Sequence, residues 1–207
     1  LVPIGVLVSG RGSNLEAILD AVDKKYILKG DVRVVISNKP GVGALDIARK
    51  HHVQCVVLDD KGVRKLDAEY DRKTMATLES HGVTPKDGLI ALAGYFRILS
   101  PQFVEKYHNR IMNVHPALLP SFPGLDAQKR ALEHGVKIAG ATIHFVAKEV
   151  DAGPIILQGH VPVRDDDTVD TLSERILREE HRLYPEAIRL FTEGRLRIEG
   201  RRVMLAV

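Results

Sequence analysis

Five short apolar runs, each closed by a glycine, proline or polar break, recur through residues 1–115 with helical patterns between them. Ile4–Ser9 is continuously apolar, as a parallel strand buried on both faces requires. After the Gly10–Asn14 turn, Leu15, Ala17, Ile18, Leu19 and Val22 recur at helical spacing. Val32–Ile36 is followed by a helical pattern at Ala44–Arg49, and Val53–Leu58 by an amphipathic one at Ala68–Ser80. Gly88–Ala93 precedes a short helix opened by Ser100-Pro101, where proline suits the first turn. Ile111–His115 is the fifth run. Strands alternating with helices predict an α/β fold: a doubly wound, mostly parallel sheet with helices on both faces, and ligands beyond the carboxyl ends of the strands.

After Gly124 the pattern changes. A helix is predicted at Ala127–His134, then strands at Thr142–Val146 and Ile155–Val163. The link Lys148–Pro154 is too short for a crossover, so these two strands should form an antiparallel hairpin on the sheet edge. Thr168–Glu193 reads as helical, with Pro185 expected to break or kink it. Leu196–Ile198 and Val203–Leu205 make a closing hairpin around Glu199-Gly200. No repeat or linker interrupts the pattern, and 207 residues suit one domain, 1–207.

Composition removes several function classes. Net charge is +3, but the basic residues are spread out, and the longest concentration, Arg195 to Arg202, lacks interleaved aromatics. That argues against a nucleic-acid surface and suits small anionic substrates. One cysteine, Cys55, excludes an intrachain disulfide and a cysteine-cluster zinc site. His51-His52 near Cys55 is better read as a solvated helix end than as metal ligands. No apolar run approaches the ~18 residues of a membrane span. The first residues lack the basic flank and cleavage site of a signal peptide, so a soluble cytoplasmic protein is expected.

The chemistry-bearing stretch is Asn113-Val114-His115-Pro116 and the proline-rich loop that runs to Gly124. Alternate residues on a strand share a face, so Asn113 and His115 should project side by side. A carboxamide N–H stabilises a developing oxyanion, and a histidine beside it handles protons. Asp151, before Ala152-Gly153-Pro154, reads either as a turn former or as a carboxylate that orients His115 and favours its imidazolium. His144 is a strand-face histidine that either supports the site or packs. Earlier in the chain, the Gly10–Asn14 turn closes a strand and opens a helix, with Ser13 or Asn14 as the natural N-cap, and exposed N–H groups there bind anions. Leu15 stands where a dinucleotide fingerprint needs a third small residue. Ser37-Asn38-Lys39 follows the second strand where that fingerprint needs an acid, and no Gly-Lys-Ser/Thr is present. A monophosphate cradle or a tight structural turn are the remaining readings. As a cradle, it needs Gly12 bare so that an anion can approach the backbone.

Asn113-Val114-His115-Pro116-Ala117-Leu118-Leu119-Pro120 followed by Phe122-Pro123-Gly124 resembles the signature of the folate-dependent formyltransferases. Gly140–Val146 followed by Val150–Pro154 resembles the segment around that family's catalytic aspartate, and Glu180–Pro185 a late helix that supplies a glutamate. The resemblance covers nearly the whole chain and is closest to the branch acting on glycinamide ribonucleotide. It implies a Rossmann-like sheet with an antiparallel C-terminal portion. It also implies formyl transfer from 10-formyltetrahydrofolate to the amine of that ribonucleotide, without a metal. By the same resemblance Asn113, His115 and Asp151 are catalytic. Gly10, Arg11, Gly12, Ser13, Asn14 and Glu180 hold the ribonucleotide. Phe96, Arg97, Ile98, Leu99, Lys148, Glu149 and Val150 form the folate pocket, while His144, Thr142, Pro116 and Gly124 support the site. The phosphate site then falls in about residues 1–100, and the catalytic and folate sites in about 101–207. Lys148 and Asp126 depart from the family pattern. The rivals are a formyltetrahydrofolate hydrolase, which should carry an N-terminal regulatory domain, and methionyl-tRNA formyltransferase, which should carry a C-terminal RNA-binding domain. A non-catalytic phosphosugar-binding module is the third. Monomer and homodimer are both compatible with the pattern.

Overall fold

A computed structural model describes residues 1–206. Its centre is one nine-stranded sheet. The strands are β1 (Val2–Val8), β2 (Gly30–Ser37), β3 (Gln54–Val57), β4 (Leu89–Leu92), β5 (Ile111–His115), β6 (Ile138–Phe145), β7 (Ile155–Pro162), β8 (Leu196–Glu199) and β9 (Arg202–Leu205). The spatial order is β3-β2-β1-β4-β5-β6-β7-β9-β8. The first five strands pair in parallel, β6 and β7 are antiparallel additions, and β8 and β9 form an antiparallel hairpin.

The period of the strands sorts the core into two layers. On β1, Ile4, Val6 and Val8 face one layer with Leu15 and Ile18 of helix α1 (Ser13–Asp23), Ala44 of α2 (Gly43–Lys50) and Ile176 and Ile188 of α6 (Val169–Thr192). Leu7 faces the other, with Leu78 of α3 (Ala68–Ser80) and Phe103 of α4 (Pro101–Lys106). Alternate side chains buried on opposite faces explain why β1 and β4 are apolar throughout. The chain runs from β1 toward β2 and β3, then returns to lay β4 on the other side of β1. That reversal opens a crevice at the carboxyl ends of β1 and β4.

The C-terminal portion departs from expectation in three ways. The β6–β7 hairpin is not at the edge, because β9 joins β7 through the Ile155–Arg202 bridge and leaves β8 outermost. β6 begins at Ile138 and extends the hairpin along its full length. α6 also runs unbroken through Pro185. A mid-helix proline costs about 3 kcal/mol in isolation. This helix buries a long face against α1, β6 and β7, which offsets that cost. A further difference lies at α1, whose N-cap is Gly12 with φ 90°, without a side-chain cap. Ser13 and Asn14 lie one residue or more inside the helix, past the position from which a side chain caps it.

Candidate active site

β5 pairs with β4 through Leu92–Asn113 and with β6 through Asn113–His144 and His115–Thr142. That register sets Asn113 and His115 beside His144 and Thr142 across the strand. The link after β6 then brings Asp151 back over them, with Asp151 at φ 53°. Its Oδ2 lies 3.3 Å from His115 Nδ1 and its Oδ1 3.7 Å from His144 Nε2. The Gly124 N–H donates to Asp151 Oδ2 at 2.8 Å, and His115 Nε2–H donates to the Phe122 carbonyl at 2.8 Å. His144 Nδ1–H donates to the Phe145 carbonyl at 2.9 Å. Its Nε2 lies 3.4 Å from Asn113 Nδ2. Asn113, His115, His144 and Asp151 are therefore gathered in one cluster, with the carboxylate facing both imidazoles. They line a cleft of about 540 Å³.

Of the two readings of Asp151, the carboxylate one has it favour the His115 imidazolium, and its charge acts in that direction against burial. Burial lowers the His115 pKa, and the Phe122 carbonyl and Asp151 raise it only in part, so the net shift is below the usual histidine range. His115 is 4% exposed, and this burial favours its neutral form. For Asp151, burial acts upward, but the imidazole of His144 beside it, the Gly124 hydrogen bond and the nearby His115 prevail and hold the carboxyl below its usual range. The group thus sets an anionic carboxylate against the Nδ1 of an imidazole whose Nε2–H is held by the Phe122 carbonyl, so a proton gained at Nδ1 would face Asp151.

The cleft walls are apolar, formed by Leu92, Leu99, Val104 and Val146, with exposed Phe96, Ile98, Leu125 and Val150 at the mouth. This combination of volume, apolar walls and a few convergent polar groups suits a small, largely apolar ligand held by a few polar contacts. Leu99, Lys148 and Glu149 also line it. Lys148 Nζ lies 3.5 Å from Glu105 Oε2 at the surface, a pair worth little. Asp126 sits at the N-cap of α5 (Ala127–His134) without capping it through its side chain. Arg97 is not a free cation. Its guanidinium stacks 3.9 Å from the Tyr70 ring centroid, pairs with Asp60 Oδ2 at 3.1 Å and donates to the Arg64 carbonyl at 2.8 Å. Asp60 in turn accepts from Asn38 at 2.8 Å. The clamp ties the 94–99 loop to the 59–66 loop, which carries Lys65 to the cleft. Nothing in the spacing of Asp59-Asp60-Lys61 marked it.

The glycine turn lies at the same strand ends. Ser9 Oγ accepts the Phe96 N–H at 3.0 Å, and the Ser9 N–H donates to the Gly94 carbonyl at 2.9 Å, so turn and cleft loop are joined. The first turn of α1 leaves N–H groups with no intrahelical acceptor and no side-chain cap. Gly12 is required for packing: a Cβ there would stand 2.6 Å from Ala44 Cα, at positive φ. Gly10 is the open position, with nothing within 4 Å of a Cβ. The Asn14 amide donates to Glu180 Oε2 at 2.7 Å, while its own Oδ1, buried, has no partner. Burial raises the Glu180 carboxyl pKa and the Asn14 bond offsets this only in part. One turn further on, the Tyr184 hydroxyl lies 3.0 and 2.9 Å from the Leu92 and Met112 carbonyls, fixing α6 beneath the strand ends. Pro116 and Gly124 bound the loop that supplies the Phe122 and Gly124 backbone contacts. Among the described residues no group of three or more His, Cys, Asp or Glu is arranged to hold a metal. No helix among them is long and apolar enough to cross a membrane.

Residues 3–188 match the family described as formyl transferase. The glycinamide ribonucleotide transformylase 1 of Symbiobacterium toebii superimposes with a TM-score of 0.93 at 50% identity, covering 100% of this chain and 95% of that one. The phosphoribosylglycinamide formyltransferase of Escherichia coli (strain K12) is 42% identical over 195 residues, 94% of this chain and 89% of the relative. The trifunctional purine biosynthetic protein adenosine-3 of Gallus gallus is 45% identical over 199 residues, 95% of this chain. The chain spans only 19% of the length of that relative.

Proposed function

The chain belongs to the formyl transferase family, and from that premise we propose that it moves the formyl group of 10-formyltetrahydrofolate to the amine of glycinamide ribonucleotide, in purine biosynthesis. The observation that carries the reading is the convergence of Asn113, His115 and Asp151 at one end of an apolar cleft. The folate supplies an activated formyl carbon on a good leaving nitrogen. The unpartnered Asn14 Oδ1 and the Glu180 carboxylate beside it are both acceptors, which suits the two hydroxyls of a ribose, one donating to each. The open backbone at Gly10 and the free N–H groups of α1 suit the phosphate. The cleft walls and the exposed rim of Phe96, Ile98 and Val150 suit the pterin and aryl parts of the folate.

In this arrangement Asn113 Nδ2 donates to the formyl oxygen as charge develops on it. His115 adds a second donor, its Nε2–H leaving the Phe122 carbonyl for that oxygen, and a stronger one when Nδ1, which faces Asp151, is also protonated. Asp151 stabilises the charged imidazole and accepts the proton lost by the attacking amine, which then passes to the leaving nitrogen. His144 holds the Asn113 amide in orientation through its Nε2. The reading takes the protein as a cytoplasmic enzyme of small-molecule substrates, monomeric or homodimeric. It is tested by following tetrahydrofolate release with and without glycinamide ribonucleotide. Release that requires the ribonucleotide supports transfer, while equal release without it would make the protein a hydrolase. Binding of the ribonucleotide without any release would leave a non-catalytic phosphosugar module.

A further inference from the structure

The loop that follows His115 is held from β7. Gln158 stands opposite Thr142 in the β6–β7 register, so the two side chains share a face. Gln158 Nε2 donates to the Leu119 carbonyl at 2.9 Å and to Thr142 Oγ1 at 3.0 Å. Thr142, fully buried, donates its hydroxyl proton to the Ala117 carbonyl at 2.7 Å and accepts the Leu119 N–H at 3.0 Å. Its one proton and two lone pairs are thereby all used. The orientation of the Gln158 amide is fixed by chemistry. The Leu119 carbonyl can only accept, and Thr142 has already given its proton away, so the NH2 end must point at both.

We propose that Gln158 is a positioning residue for the formyl transfer: it pins the Pro116–Gly124 loop, whose Phe122 carbonyl and Gly124 N–H hold His115 and Asp151. The proposal rests on the functional reading above. Gln158 touches neither the cleft nor the catalytic trio. It acts three links away, through Thr142 and Leu119, on two backbone groups. Phe122 is a non-glycine residue at φ 53°, and Gly124 stands at φ 80°, so this loop adopts a conformation that needs support from outside itself. Thr142 supplies it from β6, and Gln158 both completes the hydroxyl's bonding and holds the loop a second time at Leu119.

The test uses Gln158→Met, which keeps length but has no donor, and Gln158→Glu, whose carboxylate would face the Leu119 carbonyl with an acceptor. Gln158 is exposed, so both variants should fold, and thermal unfolding checks that. Turnover in both should fall roughly 10- to 100-fold, because small misplacement of reacting groups costs that much. The KM for each substrate should stay within about twofold, since the walls of the cleft are untouched. The His115 ring, titrated by NMR, should have its midpoint displaced from that of the parent in both. Parental turnover with a parental His115 titration would overturn the proposal. So would a loss that appears only in proportion to lost stability, with the titration unmoved. If the parent itself shows no ribonucleotide-dependent transfer, the functional reading fails, while the His115 titration still decides whether Gln158 positions the loop.

Discussion

A single oxygen of Asp151, Oδ2, faces His115 Nδ1 at 3.3 Å and accepts the Gly124 N–H at 2.8 Å, joining the hairpin link after β6 to the loop after β5. The two residues are 36 positions apart in sequence. The backbone bond orients the carboxylate without a charge, which leaves its Coulomb effect directed at the histidines.

The first prediction concerns the sign of that effect. In the folded protein burial outweighs Asp151, so His115 should titrate below the usual histidine midpoint near 6.5. Asp151→Asn removes the raising contribution and should move the midpoint lower still. A histidine whose folded pKa is depressed binds its proton more readily when unfolded. His115 therefore contributes stability above the unfolded pKa, and that contribution is lost as pH falls toward the folded value. NMR titration of the ring in parent and variant measures both. A midpoint unmoved by Asp151→Asn would mean that the carboxylate does not act on His115.

The two glycines of the phosphate turn should behave differently. Gly12→Ala places a Cβ 2.6 Å from Ala44 Cα at positive φ and should destabilise the fold by about 1–3 kcal/mol, read from urea unfolding. Gly10→Val meets no obstruction in the protein, so stability should be kept while the KM for the ribonucleotide rises and that for the folate does not. An unchanged ribonucleotide KM in Gly10→Val would remove the phosphate from this turn.

Arg97 offers a third case. If its guanidinium serves the clamp, Arg97→Ala and Asp60→Ala should raise the folate KM alike, because each frees the 59–66 loop. Each should also lose up to about 3 kcal/mol of stability, because one charge of a mostly buried pair is left alone. A folate effect in Arg97→Ala that Asp60→Ala does not share would mean direct contact with ligand.

What could be read from sequence follows the range of the interactions. Strand and helix periods are local, which is why Ala68–Ser80 and Ala127–His134 coincide with α3 and α5. Asn113 and His115 were legible because two residues on one strand share a face. The Arg97–Asp60 clamp, the Asn14–Glu180 bond and the Thr142–Gln158 pair join residues 16 to 166 positions apart. No period or spacing marks such pairs. Pro185 does not break α6, because helix propensity is a local cost that burial of α6 against the sheet overrides. Gly12 was read for an anion, whereas the backbone of α2 is what excludes a side chain there. At His115 the pairing with Asp151 could be inferred from motif, whereas the burial that acts against its charge could not.

The central claim is that Asn113 and His115 stabilise charge that exists only near the transition state. Single-turnover formyl transfer by Asn113→Ala, with dissociation constants for both substrates measured on the same preparation, tests it most directly. The rate should fall by roughly two to three orders of magnitude, with both dissociation constants within about threefold of the parent. A parental transfer rate, or a loss that lies wholly in substrate binding, would contradict it.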